Sequence, residues 1–389
     1  MDSLRTPVQA AVVAGIRRRR WAAALGLVAA ACSPHSLHPI PGPFVSGVCP
    51  RGCGQVITMT SLGVAGFIIR YRDQAILTAP LFSRPDFGTV IDNSPYVADT
   101  AAIKRAVLEH GLSDDLAHVQ AILVGHSHYD HLLDVPFIES RYTGKATIYG
   151  TPTMGYILAG DSMLRPIGHS DTLRERKAAR TRVVVIDSDY VGDSANDGKW
   201  IDIDESRGED SVPDSSALHF RIMAFRSAHG PNFVGITLGP GKVTAPLRTL
   251  PSTIQGWKLG EVYAYLIDLV DRHDTTRFRI YFRDAVGQEP NGFPPRHILL
   301  HARVDVAIIC AGNFDNMQGY PTSLIEYLHP TWTIVAHWEN FFLEPSSNPP
   351  PVPYMNTGEL ARRLNKALTD TTGWMTPEPY ARFRFCVCN

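Results

Sequence analysis

Ala121-Ile122-Leu123-Val124, then Gly125, then His126-Ser127-His128-Tyr129-Asp130-His131 is the stretch that decides the fold of this chain. The first four residues form an apolar, strand-like run, and the last six carry three imidazoles and a carboxylate. So many polar groups are costly to bury without partners. Neutral His and ionised Asp are, however, the donors that hold divalent ions of the zinc type. An apolar strand that runs out into a short turn delivers such donors to one rim of a sheet.

A metal site draws on several elements, so further donors are sought at other strand ends. His229 follows an apolar strand at 218–225, Asp284 follows Arg279-Ile280-Tyr281-Phe282-Arg283, and His337 follows Thr333-Ile334-Val335-Ala336. Period-two and short apolar runs predict further strands at 56–60, 67–71, 75–78, 146–149, 183–186, 262–269 and 304–310. Helical spacing covers 100–110 and 322–328, and helices are expected to begin near Leu132 and after Pro152. Asn356 is placed to N-cap a last helix, with Glu359 closing a capping box. No sequence repeat of fixed period is present. Interleaved short strands and helices through 55–389 predict one α/β domain, decorated by an acidic, aperiodic surface loop at 187–216.

The pattern resembles the metallo-β-lactamase-fold hydrolases over residues 55–345. The family's H-x-H-x-D-H motif is matched by His126, His128, Asp130 and His131. Gly66-Phe67-Ile68-Ile69 with 75–80 resembles the opening hairpin of the branch that includes lactonase-like and phospholipase-like members. Ala336-His337-Trp338 is similar to that branch's terminal ligand motif. The resemblance implies a four-layer αββα sandwich and two divalent ions, zinc by default, with manganese or iron compatible with the same donors. His126, His128 and His229 would hold one ion, and Asp130, His131 and His337 the other. Asp284 would bridge them, and Asp130 would also act in catalysis. The implied chemistry is hydrolysis of an ester, lactone or phosphodiester of small-molecule or lipid-like type, by a hydroxide held between the ions.

The branch commonly has an acid before the Pro of Thr78-Ala79-Pro80, where it supports a ligand His. Ala79 stands there in this chain, so the expectation is either weaker metal binding or support from another acid such as Asp134. Trp338, Phe341 and Phe342 read as core or pocket wall, and Tyr129 and Ser127 as packing and turn residues. Competing functions are a non-enzymatic metal-binding envelope lipoprotein, a β-lactamase, and an iron-dependent oxidoreductase of the same fold.

With 389 residues, 44% hydrophobic, 19% charged and a formal net charge of −1, the chain is globular and offers nothing to a nucleic acid. Arg17-Arg18-Arg19-Arg20 followed by an apolar stretch at 21–31 has the build of an export signal. The junction Val28-Ala29-Ala30-Ala31-Cys32 resembles a bacterial lipoprotein cleavage site, which implies a lipidated Cys32, a tether at 32–54 and a membrane-anchored place in the cell envelope, facing the periplasm. Cleavage without lipidation and a twin-arginine signal are the alternatives. Cys49, Cys53, Cys386 and Cys388 read as disulfide-forming in an oxidising compartment rather than as a four-Cys zinc site. Cys310 reads as a buried thiol. Nothing in the sequence bears on oligomeric state.

Overall fold

Phe67 and Ile69 face one apolar cluster while Ile68 between them faces another, and this alternation sets the layers of the molecule. The computed structural model describes residues 37, 39–40, 44–45, 53–144, 146–162, 164, 166–168, 183–203, 218–231, 238–369 and 372–387. In chain order the first strands are β1 (Pro39–Ile40), β2 (Phe44–Val45), β3 (Gln55–Gly63), β4 (Gly66–Tyr71), β5 (Gln74–Thr78) and β6 (Val119–Leu123). Then come β7 (Thr147–Gly150), β8 (Pro166–Gly168), β9 (Val183–Val185), β10 (Ile201–Asp202), β11 (His219–Arg226) and β12 (Tyr263–Val270). The last are β13 (Thr276–Phe282), β14 (Val306–Cys310), β15 (Trp332–Ala336), β16 (Gly373–Pro377) and β17 (Arg382–Val387).

They form two sheets, one ordered β2-β17-β3-β4-β5-β6-β7-β9-β8 and the other β1-β16-β15-β14-β13-β12-β11-β10. Each sheet is built the same way. β3, β4 and β5 pair antiparallel and then β5, β6, β7 and β9 pair parallel. β11, β12 and β13 repeat the antiparallel run, and β13 to β16 repeat the parallel one. The duplication lives in hydrogen-bond topology, which is why no fixed period marks it in the sequence.

Parallel neighbours need crossovers, and helices supply them. Those at Thr100–Glu109 and Pro152–Leu158 cover the first sheet, and those at Arg296–His301, Thr322–Leu328 and Thr357–Lys366 cover the second. Ile103 and Ile157 meet Ile122 and Ile148 on the first sheet's outer face. Ile298, Leu324 and Leu360 meet Ala307 and Ile309 on the other. Between the sheets lies a core drawing on residues from Ile57 to Val387. The architecture is the four-layer αββα sandwich of the metallo-β-lactamase fold.

Strand direction fixes where chemistry can gather. β11 and β13 are both antiparallel to β12, and β14 and β15 run parallel to β13, so all four end on one rim. His229, Asp284 and His337 follow β11, β13 and β15 on that rim. The hydrogen bond from the Tyr263 amide to the Gly125 carbonyl (2.8 Å) brings the end of β6 to it.

Three expectations change in the structure. Residues 187–200 are irregular as expected, but the segment is tied down: Val191, Ile201 and Ile203 are buried in the inter-sheet core, and β10 pairs with β11. Such singly spaced apolar residues leave no period to detect; residues 204–216 of the expected loop lie outside the described ones. The capping box at Asn356 is half made. Its side chain accepts from the Glu359 amide, but the Glu359 carboxylate is taken by Arg362 and Arg363. Thirdly, the helix expected from Leu132 is broken in two: a short one, Tyr129–Leu132, is set by the ligand loop, and Val135–Ile138 follows and runs on into Glu139–Thr143.

Cys53 and Cys386 are each disulfide-bonded, beside the β3–β17 pairing in which Cys386 stands opposite Val56. Cys49 and Cys388 lie outside the described residues, as do Cys32 and most of 1–54. Cys310 is free and buried. Among the described residues, no helix is long and apolar enough to cross a membrane.

Candidate metal centre

The sharp turn after β6 is possible because Gly125 has no side chain: a Cβ there would meet Asp284 Oδ1 at 2.2 Å. His126 and His128 then flank Ser127, and the helix Tyr129–Leu132 opens directly on Asp130 and His131. All four side chains are buried. His126 Nε2 faces His128 Nδ1 at 3.2 Å, and the His229 ring sits 4.9 Å from each of these rings, centroid to centroid. Across the site, Asp130 Oδ2 lies 3.1 Å from His337 Nε2 and 3.4 Å from His131 Nε2. The structure thus gathers His126, His128 and His229 into one group and Asp130, His131 and His337 into another. Within each group the donor atoms lie within 4.8 Å of one another.

The donor chemistry fits divalent metals. The first group presents three imidazole nitrogens and the second two with a carboxylate, and among the described residues no Lys or Arg lines the cavity they share. Neighbouring imidazole nitrogens such as His126 Nε2 and His128 Nδ1 repel when both are unprotonated, and a shared cation removes that repulsion. His229 Nδ1 is committed to the Gly230 carbonyl, which leaves Nε2 as its free donor. The two groups adjoin, since the rings of His126 and His131 are 4.3 Å apart.

Asp284 belongs to neither of these groups, yet it lines the same cavity beside them. Its Oδ2 accepts from the Gly125 amide at 2.8 Å and its Oδ1 meets His126 Nδ1 at 3.0 Å. The same carboxylate lies 3.8 Å from His131 Nδ1. It therefore bonds one ring of the first group and lies near one ring of the second. A carboxylate in that position fixes ring orientation and raises ligand basicity.

Nor does Asp134 replace the acid missing at Ala79. Its carboxylate is filled by the amides of Phe82 and Ser83 (2.6 and 2.8 Å) and the Ser83 hydroxyl (2.6 Å). It anchors the loop after β5, and burial pushes its pKa up. Ala79 itself is packed in the inter-sheet core. Of the rival acids, Asp268 is held by Arg279 at 2.7 Å and Asp271 by Arg277, so both are spent away from the rim.

His337 is held in a strained backbone. Its φ is 59°, and its amide donates to the carbonyl of Val64, whose own φ is 51°. The Glu339 carboxylate accepts from the Val64 amide at 2.6 Å and lies 3.5 Å from the buried Arg84 guanidinium. Left-handed conformations of non-glycine residues persist where surroundings over-determine them. This clamp supplies that constraint and aims His337 at Asp130.

Burial decides most of the ionisation. It lowers His126 and His128, and with His126 as the next cause it takes His229 down to about 3. These three rings are neutral near pH 7, as ligands must be. Burial also opposes charge on His131, but Asp130 and Asp284 outweigh it and raise that ring. For Asp130 burial acts upward, and His131 and His337 overturn it, holding the carboxyl well below the usual range.

Sequence reasoning passes over several residues of this cavity. Trp257, Ile254, Leu238, Asn313 and Val352 line it beside Phe341 and Phe342. Only Asn313 leaves a local clue, a polar residue just past the apolar strand β14; its φ of 60° is a tertiary fact. Tyr129, read as packing, also faces the cavity, whereas Trp338 is core, its indole donating to the Pro377 carbonyl. His169 lies outside the described residues.

Residues 89–239 match the family model described as "Beta-lactamase superfamily domain". Among curated proteins, no relative matches the chain. A metallo hydrolase from the archaeon Ignicoccus hospitalis is similar at 12% identity and a TM-score of 0.43, with 85% of this chain and 98% of that one covered. An isothiocyanate hydrolase from Delia radicum gut bacteria is similar at 13% identity and a TM-score of 0.41, covering 84% and 98%. A diiron β-hydroxylase from Streptomyces venezuelae, at 12% identity and a TM-score of 0.42, covers 90% of this chain and 55% of its own. The fold is carried by the chain's own two sheets and the order of donors along their shared rim.

Two outcomes follow for the protein stripped of metal. The three depressed imidazoles bind protons first in the unfolded chain, so stability falls as pH drops below 6.5, for His229 continuing down to about 3. His131, with a raised pKa, acts oppositely: its stabilisation is full at low pH and is lost as pH rises through its folded value. Urea midpoints of the metal-free protein should therefore be lower near pH 5 than near pH 7.5, with His229→Gln narrowing the gap. A midpoint that does not fall would show these rings are not buried neutral. Separately, Asp284→Asn should weaken both ions by about 10–100-fold in chelator competition, because the carboxylate adjoins one ring from each group. Unchanged affinity at either ion would remove it from that role.

Proposed function

We propose that the protein is an exported, dinuclear metal-dependent hydrolase acting on an ester, lactone or phosphodiester. One observation carries the reading: two adjoining, metal-competent groups of side chains, all buried but the half-buried His229, open into a single cavity. His126, His128 and His229 would hold one ion, and Asp130, His131 and His337 the second. Bound there, a pair of divalent ions supplies a lowered pKa for water and polarisation of the scissile oxygen.

The chain's own groups do the rest. Asp130 lies in the cavity wall and is held ionised by His131 and His337, so it is available to orient the attacking water and to take up its proton. Asp284 would stand between the two ions, and its carboxylate also holds His126 in place. The buried walls exclude bulk water, which strengthens each electrostatic contact inside. Zinc is the preferred ion because the donors are imidazole and carboxylate in small, closed groups, with manganese and iron suited to the same atoms.

Export and a lipid anchor at Cys32 belong to the same proposal. The basic, apolar leader and the Cys32 junction support it, and disulfides at Cys53 and Cys386 suit an oxidising compartment.

Metal analysis of purified protein should return two ions per chain. A panel of ester, lactone, phosphodiester and β-lactam substrates should show hydrolysis that His128→Ala and Asp130→Ala each reduce by about 100-fold or more. Activity indifferent to both exchanges would end the catalytic assignment. For the anchor, mass spectrometry of the mature N-terminus should find a lipidated Cys32 as the first residue; an unmodified start elsewhere would leave export without an anchor.

A further inference from the structure

The cavity over the metal centre is small and walled by apolar groups. Its volume is about 40 Å³, and Leu238, Ile254, Trp257, Phe341, Phe342 and Val352 form its sides. At ~10–15 Å³ for each enclosed water, that is room for about three, or for a short acyl group of similar size. None of its lining residues is Lys or Arg, so a substrate charge beyond reach of the ions would be buried without a counter-charge.

Trp257 is a wall of two spaces at once. On its other side lies a more open apolar groove of about 270 Å³, lined by Val97, Ala98, Leu133, Phe137 and Leu250. The indole is almost fully buried, 1% exposed, and its backbone is pinned by the short helical turn Ile254–Gly256, with its amide donating to the Ile254 carbonyl. Its Nε1–H has no acceptor in the structure. A buried donor without a partner is uncommon and is satisfied when a ligand brings an acceptor.

We infer that the substrate is an uncharged ester or lactone with a short apolar acyl group, and that Trp257 sets the length limit by closing the metal cavity off from the groove behind it. The inference rests on the hydrolase reading and narrows it to a single short acyl arm with no charge away from the ions. A long acyl chain would have to pass through the position of the indole. Removing the indole joins the two spaces and gives such a chain an apolar path to the surface.

The test uses the full-length, metal-loaded protein with p-nitrophenyl acetate, butyrate and octanoate, and bis(p-nitrophenyl) phosphate. Wild type should favour acetate over octanoate by at least about tenfold in kcat/KM, the scale of a few methylenes refused by a pocket. Trp257→Ala should reverse the order, and adding Ala98→Trp, which refills the groove without touching the metal cavity, should restore it. Calorimetry with octanoate, a product analogue, should show tighter binding to Trp257→Ala than to wild type, again by about tenfold. Metal content and circular dichroism establish that each variant is folded, and Trp257→Leu gives the same comparison if the alanine variant is not.

Equal use of acetate and octanoate by wild type, or an unchanged ratio in Trp257→Ala, overturns the length limit. Preference for the phosphodiester overturns the substrate class while the hydrolase reading stands. Failure of the loaded wild type on every ester, lactone and phosphodiester removes the hydrolase reading, and this inference with it.

Discussion

The contact of Asp284 with Gly125 and His126 is where the two sheets become one site. Gly125 ends the first sheet's β6, and Asp284 follows the second sheet's β13. One buried carboxylate receives the Gly125 amide and meets the imidazoles of His126 and His131. Ionised carboxylates are expensive to bury, and this one persists because each oxygen has a donor or a positive partner. Losing it would leave an unpaired amide and two unsupported rings in an apolar rim. The close approach also explains the glycine, because any side chain at 125 would collide with Asp284.

Around that contact the structure commits rigidity to ring orientation. Val64 and His337 both adopt left-handed backbone, joined by the His337 amide and locked by Glu339 and Arg84. Asp134 fastens the neighbouring loop through Ser83. Donors held in advance need little reorganisation when an ion or a reacting group arrives, and this is the main resource of a site that works by electrostatics. The surroundings serve a different end. Phe341 and Phe342 extend from the His337 loop, and Leu238, Ile254 and Trp257 from the irregular segment before β12, so apolar walls close over a polar floor. Such a cavity selects by shape and by the cost of burying charge.

The ligand candidates are legible in sequence because their signal is local. H-x-H-x-D-H is one turn, and His229, Asp284 and His337 each stand within three residues of an apolar strand. The last strand is a different matter. In β17, Phe383, Phe385 and Val387 alternate with more exposed Arg382, Arg384 and Cys386, a period-two pattern that cysteine spacing overshadows. The pattern can name a strand, yet not its neighbour. That β17 returns across more than three hundred residues to lie beside β3 depends on which edge is left open when the sheets assemble.

Sequence alone determined the donor types, their order along the chain and the strand-then-turn context that gathers them, because these depend on residue chemistry and on periods of a few residues. The tertiary structure decided their division of labour. It put three donors in each group, set Asp284 against His126 and the Gly125 amide, and spent Asp134 on a loop. It also chose the cavity walls, among them Trp257 and Asn313, from segments with no motif. The reason is physical: which face of a carboxylate meets a ring, and which apolar side chain covers a cleft, follow from contacts between residues far apart in the chain, 275 positions for Val64 and Glu339, and no local pattern encodes those.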